Sequence, residues 1–292
     1  MKSFLSLFKH PYYKHLRLNF NILLSPIYLW GVLLAGGSIY TLNFWLGYLA
    51  LHVFLYGGTT AFNSYFDKDE GPIGGMLEPP KVDRGLLIFS LIFQALGLPL
   101  AYAVSQTFFI AWCLLFLIAA AYSYPLTRLK ASPVGALLSV GLGQGALGFA
   151  TGWLIPKQEF SSLYSSKPFI GMVSTSLIVA GLYIITQTYQ TAEDRQRGDR
   201  TLPVLLGPKT ALFIALILLG IGGGILLGYS YQSFGLGWAV ALAVFFAAIA
   251  ISLLQWALRF KESAVKANFY RAMRTVQLSS LGLSLFLLYH LI

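Results

Sequence analysis

Eight of the ten acidic residues in this chain stand in two short clusters, each at the end of a long apolar run. The first reads Asn63-Ser64-Tyr65-Phe66-Asp67-Lys68-Asp69-Glu70-Gly71, with Glu78 and Asp83 just beyond. The second reads Gln187-Thr188-Tyr189-Gln190-Thr191-Ala192-Glu193-Asp194-Arg195-Gln196-Arg197-Gly198-Asp199. Only Glu159 and Glu262 lie elsewhere. Carboxylates are costly beside hydrocarbon, so gathering them at two such points implies a task. Carboxylates with amides suit a hard divalent cation such as Mg2+. Mg2+ takes only one or two protein carboxylates and fills its shell with water and phosphate oxygens, so a diphosphate is its natural companion.

Helical spacing would order these groups. Residues three, four and seven apart share a helix face. Asn63, Asp67 and Glu70 then form one stripe, and Tyr183, Gln187, Gln190 and Asp194 another. Asp69 falls off the first stripe, but Gly71-Pro72 should end that helix and leave its direction open. Two such helices packed together would present their oxygen ligands to a shared site. A single cluster of this kind reads equally as solvated loop acids; two, each with an amide one turn before an aspartate, favour the site.

The elements that must carry these stripes are membrane spans. Hydrophobic residues make up 57% of the 292 positions and charged residues 10%, against about 25% charged in a soluble domain. A span needs roughly 20 mainly apolar residues. Nine such runs are read, over about 18–37, 41–63, 86–104, 107–124, 133–154, 169–190, 210–229, 234–258 and 275–291. Continuous runs indicate helices, whereas a membrane β-barrel would show alternating segments of about ten residues. The expected fold is an all-α membrane protein, a nine-transmembrane-helix bundle with its active-site cavity at the cytoplasmic side. A single domain over 1–292 is expected. Two half-bundles, about 18–124 and 133–258, precede a final helix, because a span ends in an acidic cluster twice.

The net charge of +10 does not point to nucleic acid. Eighteen of the twenty basic residues fall at the N-terminus (Lys2, Lys9, Lys14, Arg17) or in alternate connections, leaving Lys157 and Lys167 on the other side. This is the positive-inside pattern. It places the N-terminus and both acidic clusters in the cytoplasm and the C-terminus outside, in an inner or plasma membrane. The first apolar stretch is too long for a signal-peptide core and reads as a retained span. Cys113 is alone and reads as a small buried residue. His52, three turns before Asn63, would line the cavity or make an interhelical hydrogen bond; Asn19 and Asn21 present the same choice. Gly135, Gly141, Gly143, Gly145 and Gly148 permit close helix approach or thin a cavity wall.

These residues resemble the UbiA-type membrane prenyltransferases. That family has an Asn-x-x-x-Asp-x-x-x-Asp motif after helix 2 and an Asp-x-x-x-Asp motif after helix 6. Asn63-x-x-x-Asp67 matches the start of the first; its last Asp would fall at Gly71, beside Asp69 and Glu70. In the second, Asp194 matches and the earlier Asp falls at Gln190. The run from Asp194 to Gly207, with Arg200-Thr201-Leu202, is similar to the family's sequence after that motif. Tyr122-Ser123-Tyr124-Pro125-Leu126-Thr127-Arg128-Leu129-Lys130 is similar to its segment after helix 4.

The resemblance implies Mg2+-dependent transfer of a prenyl group from a polyprenyl diphosphate to an acceptor it does not name, within membrane lipid and with no obligatory protein partner. It implies Asn63, Asp67 and Asp194 as catalytic metal-site residues, with Asp69, Glu70 and Asp199 as further ligands. Lys68, Lys81, Arg84, Arg128, Lys130, Arg195 and Arg197 are the cations to meet a diphosphate, with Gln187 and Gln190 beside them. Two other classes stand alongside: a family-fold protein that binds an isoprenoid without catalysis, and a transporter. A transporter would place its carboxylates near mid-membrane rather than at one edge.

Overall fold

The computed structural model describes residues 10–292; Lys2 and Lys9, counted above in the positive-inside pattern, lie outside the described residues. The described residues are helical throughout apart from turns and one isolated bridge, Ile73–Met76. The long segments are α1 (Pro11–Leu34), α2 (42–67), α3 (Arg84–Val104), α4 (Gln106–Ser123), α5 (Pro133–Lys157), α6 (Ser166–Gln187), α7 (Pro208–Phe234), α8 (Leu236–Leu258) and α9 (Val265–Leu291). Seven of them are long and apolar enough to cross a membrane; α2 and α9 are not among the seven. The reason is their polar load. α2 carries His52, Thr59, Thr60, Asn63 and Ser64, and α9 carries Lys266, Arg271, Arg274 and three buried hydroxyls, Thr275, Ser279 and Ser280.

Local chemistry sets the helix ends. The Asp83 carboxylate accepts from the Leu86 amide at 3.2 Å and starts α3. The Ser105 hydroxyl does the same for Phe108 at 3.1 Å in α4, and Ser132 for Gly135 at 3.1 Å ahead of Pro133 in α5. Such caps satisfy amides that have no partner inside the helix. α1 is interrupted at Arg17, whose backbone is left-handed (φ 46°). α2 ends at Asp67 because Lys68 turns left-handed (φ 52°). Glu70 therefore does not continue the stripe of Asn63 and Asp67. α6 likewise ends at Gln187, and a separate short helix, Thr191–Arg197, carries Asp194. The second stripe is thus split between two helices, with a turn at 188–190 between them.

Helix spacing is tight where glycines face main chain. α1 lies against α5 with Gly31 at the Phe149 carbonyl and Gly152 at the Tyr28 carbonyl, each with no room for a Cβ. Gly145 of α5 meets the main chain of Ser176 in α6, and Gly222 of α7 meets the Ser174 carbonyl. Small residues at such crossings let dispersion contacts and weak polar contacts hold membrane helices together. Buried Tyr28, Trp30, Phe44, Phe108, Phe149 and Leu154 fill the half of the bundle away from the acidic residues. The other half encloses a cavity between α1, α2, α4, α5, α6 and α9.

A methyl group at Gly152 has to displace the α1 backbone. Gly152→Ala should lower the melting temperature in detergent, at a cost of about 1–3 kcal/mol. Gly224→Ala, where the added Cβ meets open space, should leave it unchanged; equal effects of the two would refute the close-packing account.

Candidate functional site

The cavity holds about 280 Å³. Both acidic clusters reach its wall: Asn63, Asp67 and Asp69 from α2 and the turn after it, and Gln187, Gln190, Asp194 and Asp199 from the end of α6 and beyond. Lys130, Arg17 and Arg197 line the same end. Below them the wall becomes apolar, with Leu24, Ile27, Leu55, Leu115, Val140 and Leu182 among its residues.

The acids are laced together by cations. Arg197 donates to Asp69 at 2.7 Å and to Glu193 at 2.9 Å, and its other nitrogen lies 3.9 Å from Asp199. Arg128 grips Asp199 with two hydrogen bonds, Nε to Oδ1 at 3.1 Å and Nη2 to Oδ2 at 2.9 Å, and lies 3.9 Å from Asp67. Lys130 pairs with Asp67. The side chains of Asp67, Asp69 and Asp199 are only 6–7% exposed. An unbroken chain of charge therefore runs from the end of α2 through 128–130 to the segment after α6. Charge-assisted, bidentate pairing of this kind is the strong form of the hydrogen bond.

Three other groups complete the polar end. Asn63 donates to the Ser123 hydroxyl at 2.8 Å, which points its amide oxygen towards Arg17, 3.5 Å away. Arg17, which sequence reasoning treated only as a topology charge, is buried; it donates to the Thr60 carbonyl at 2.9 Å and the Ser64 hydroxyl at 3.3 Å and makes no ion pair among the described residues. The sequence signal for it was a lone Arg at the edge of an apolar run. Tyr122 and Tyr183 share a hydrogen bond of 2.8 Å, and Gln187 donates to the Tyr183 hydroxyl at 2.7 Å.

Several sequence-predicted residues lie away from the cavity. Lys68 sits exposed on the left-handed turn. Glu70 is exposed, and its backbone amide, rather than its carboxylate, bonds Glu193. Lys81 and Arg84 are exposed before and at the start of α3, where Asp83 caps the helix. Arg195 points to the opposite side of its short helix and pairs with Glu262 at 3.0 Å. Arg128 does not line the cavity itself but stands behind it, holding Asp199. His52 is buried away from the cavity, stacked on Tyr48 at 4.2 Å with Nδ1 3.3 Å from the Tyr48 carbonyl. Asn21 lines the cavity and donates to the Leu16 carbonyl at 2.8 Å, while Asn19 is exposed. Cys113 is a free, half-buried thiol in α4.

Among the described residues, no three His, Cys, Asp or Glu side chains form a ready metal cage. The chemistry of the donor set nevertheless fits Mg2+ shared with a phosphate. Asp194 is buried; among the described residues its side chain accepts one hydrogen bond, from Thr201 at 3.1 Å, and has no ion pair. Burial pushes its carboxyl up to about 7, with the Asp199 charge adding to the effect. A carboxylate so placed gains from a cation. Across the site, burial, helped by the charge of Arg197, pushes the Lys130 ammonium down to about 7. The polar end thus offers one acid waiting for a cation, and one ammonium whose buried partner is Asp67.

The signs follow from these positions. If Asp194 holds Mg2+ it must first lose its proton, so affinity would fall as pH drops below 7. If Lys130 meets a phosphate anion it must keep its proton, so affinity would fall as pH rises above 7. Calorimetric binding of inorganic pyrophosphate with Mg2+ should therefore peak near neutrality. Lys130→Arg, whose charge persists to high pH, should extend the alkaline side. A profile that is flat through neutrality would contradict this electrostatic account.

The sequence profile of the UbiA prenyltransferase family matches residues 24–281. Comparison with curated protein sequences gives no match. Among solved structures, a UbiA homologue from Aeropyrum pernix K1 is 20% identical, with a TM-score of 0.64 over 92% of this chain and 98% of its own. A UbiA homologue from Archaeoglobus fulgidus bound to DMAPP and Mg2+ is also 20% identical, with a TM-score of 0.59 over 92% of this chain and 98% of that one. A digeranylgeranylglyceryl phosphate synthase is 16% identical, with a TM-score of 0.61 over 96% and 98% of the two chains. At these identities the structural likeness establishes the fold. The profile match spans most of the chain, and with seven helices able to cross a membrane it makes this protein a multi-pass membrane member of the UbiA prenyltransferase family.

Proposed function

We propose that this protein transfers the prenyl group of a polyprenyl diphosphate to an acceptor, with Mg2+, at the cytoplasmic face of the membrane. The observation that carries this reading is the cavity itself, where two distant acidic clusters and their cations form one polar end and hydrocarbon side chains form the rest. Supporting it, the Archaeoglobus fulgidus homologue is bound in separate structures to DMAPP and to GPP, each with Mg2+. On this reading Asp67 and Asp194, with the Asn63 amide oxygen, hold the metal, and Asp69 and Asp199 support them. Bound Mg2+ neutralises charge on the leaving diphosphate.

The chain's own residues do the rest. Lys130 and Arg197 meet the diphosphate oxygens, and Arg17 does so from the α1 side; Gln187 and Gln190 stand beside them. Arg128 positions Asp199 and Asp67 rather than touching substrate. As the bond between prenyl C1 and oxygen breaks, its electron pair goes to the diphosphate, where these preorganised cations stabilise it. The acceptor then bonds C1 and releases a proton. The Tyr122 and Tyr183 hydroxyls are occupied by each other and Gln187, so their rings wall the site without offering a competing nucleophile.

Asp67→Asn and Asp194→Asn keep shape but remove charge. Each should reduce transfer of label from a radiolabelled prenyl diphosphate by at least ~100-fold, with membrane expression intact. Full Mg2+-dependent turnover in both variants would defeat the reading. A second reading, isoprenoid binding without turnover, is favoured by the missing three-acid cage and by the cations already paired with Asp67, Asp69 and Asp199. Prenyl diphosphate binding without product across a panel of acceptors would select it. The transporter reading is weaker, because the carboxylates of the described residues lie at helix ends or in connections.

The same proposal includes a single domain of nine spans arranged as two half-bundles and a final helix, α2 and α9 included, with the N-terminus and both clusters cytoplasmic and the C-terminus outside. Single cysteines at positions 75 and 200, in a Cys113→Ser background, should be labelled only from the cytoplasm. Labelling from the outer face would reverse the orientation.

A further inference from the structure

Two polar side chains on the cavity wall have no partner, and neither belongs to the acidic end. Gln144 on α5 is half-buried and makes no hydrogen bond among the described residues. Tyr56 on α2 is only 5% exposed, yet its hydroxyl is neither hydrogen-bonded nor sealed off, so it opens into the cavity. Other hydroxyls on the wall are occupied. Thr59 donates to Gln94, Ser139 to the Gly135 carbonyl and Thr186 to the Tyr183 carbonyl.

The two free groups adjoin. The Tyr56 hydroxyl stands beside Gly148, 3.3 Å from the place a Cβ would take there. Gln144 lies four residues before Gly148, on the same face of α5. The missing side chain at Gly148 leaves the hydroxyl its room. The described residues contain two π-helical stretches, and each sets one member of the pair. Leu49–Leu55 ends just before Tyr56, and Ser139–Leu147 holds Gln144. Such stretches recur at functional sites.

Helix rise puts Tyr56 two turns from Asn63, about 10 Å further into the bundle. With the diphosphate of the proposed substrate at the Asn63 end, prenyl C1 and its acceptor occupy that interval. Both free groups are neutral. The cations on the cavity wall, Lys130, Arg197 and Arg17, belong to the acidic end. Arg17 is held by the Thr60 carbonyl and the Ser64 hydroxyl, one and two turns beyond Tyr56 towards that end. A carboxylate set between a phenol and an amide would lose its water and gain no cation, which is costly. A hydroxyl or carbonyl group would find what it needs, since the amide donates and accepts and the phenol does either.

Resting on the prenyl-transfer reading above, we propose that Tyr56 and Gln144 hold the acceptor, and that the acceptor is an uncharged molecule presenting a hydroxyl or carbonyl group to them. The test is calorimetry on the purified protein with Mg2+ and a thio-linked geranyl diphosphate analogue, which fills the donor site without transfer. Hydroquinone is compared with its carboxylated form, gentisate, at neutral pH. Wild type should bind hydroquinone at least ~10-fold more tightly than gentisate. Tyr56→Phe and Gln144→Leu keep size and remove one partner each. Each should weaken hydroquinone at least ~5-fold and leave the affinity for the thio analogue within about twofold. Gln144→Lys supplies a cation and should reverse the preference towards gentisate. Gentisate binding wild type as tightly as hydroquinone overturns the assignment, as does no binding of hydroquinone, or unchanged hydroquinone affinity in folded Tyr56→Phe and Gln144→Leu. Those outcomes leave the prenyl reading standing when the thio analogue binds. If wild type does not bind the thio analogue with Mg2+, the prenyl reading itself falls and takes this assignment with it.

Discussion

The ion chain from Asp69 through Arg197, Asp199 and Arg128 to Asp67 is the constraint on which the rest of the site depends. It ties together three stretches far apart in sequence: the end of α2, the turn before α5 and the segment after α6. Its carboxylates are almost fully withdrawn from solvent, where charges interact strongly but are costly to desolvate. No member is dispensable in such an arrangement, since removing one leaves its partner buried and uncompensated. A shared cavity end is the geometric consequence, because the three stretches can exchange these charges only by converging on one another.

That convergence needs rigid walls. Glycines at the α1–α5, α5–α6 and α6–α7 crossings bring backbones into contact, and buried aromatics fill the half of the bundle away from the acidic residues. The helices therefore splay at the acidic end and seal at the other. The outcome is a polar mouth over an apolar shaft. This shape suits a substrate with an anionic head and a hydrocarbon tail, and it underlies the proposed reaction.

The local balance of charge is unusual in one respect. Among the described residues, Asp194 is a buried carboxylate with no direct ion pair, and Arg17 a buried cation with none, in the same wall. Each is left to hydrogen bonds alone. Native proteins rarely leave such groups uncompensated, and a metal ion with a phosphate ligand would compensate both. The residues at the family-motif positions Gly71 and Gln190 supply no carboxylate, so on the proposed reading Asp194 and Asp67 would carry more of that burden.

Much of this was written in the sequence. The long apolar runs dictated helices, the acidic clusters marked the polar end of the cavity, and Asn63, Asp67, Asp69, Lys130, Gln187, Gln190, Asp194 and Asp199 all reached the cavity wall. These are local properties: hydrophobic length, charge placement and helical spacing act over one or two turns. The sequence could not separate Arg197 from Arg195, because a charge near a cluster looks the same whether it faces inward or outward. Tertiary structure decided that. Left-handed turns at Lys68 and Arg17 and the break after Gln187 redirected the chain, sending Glu70 and Arg195 outward and bringing Arg17 in. Direction of this kind depends on which helices pack together, and packing across six helices is a property of the assembled bundle, not of any segment of its sequence.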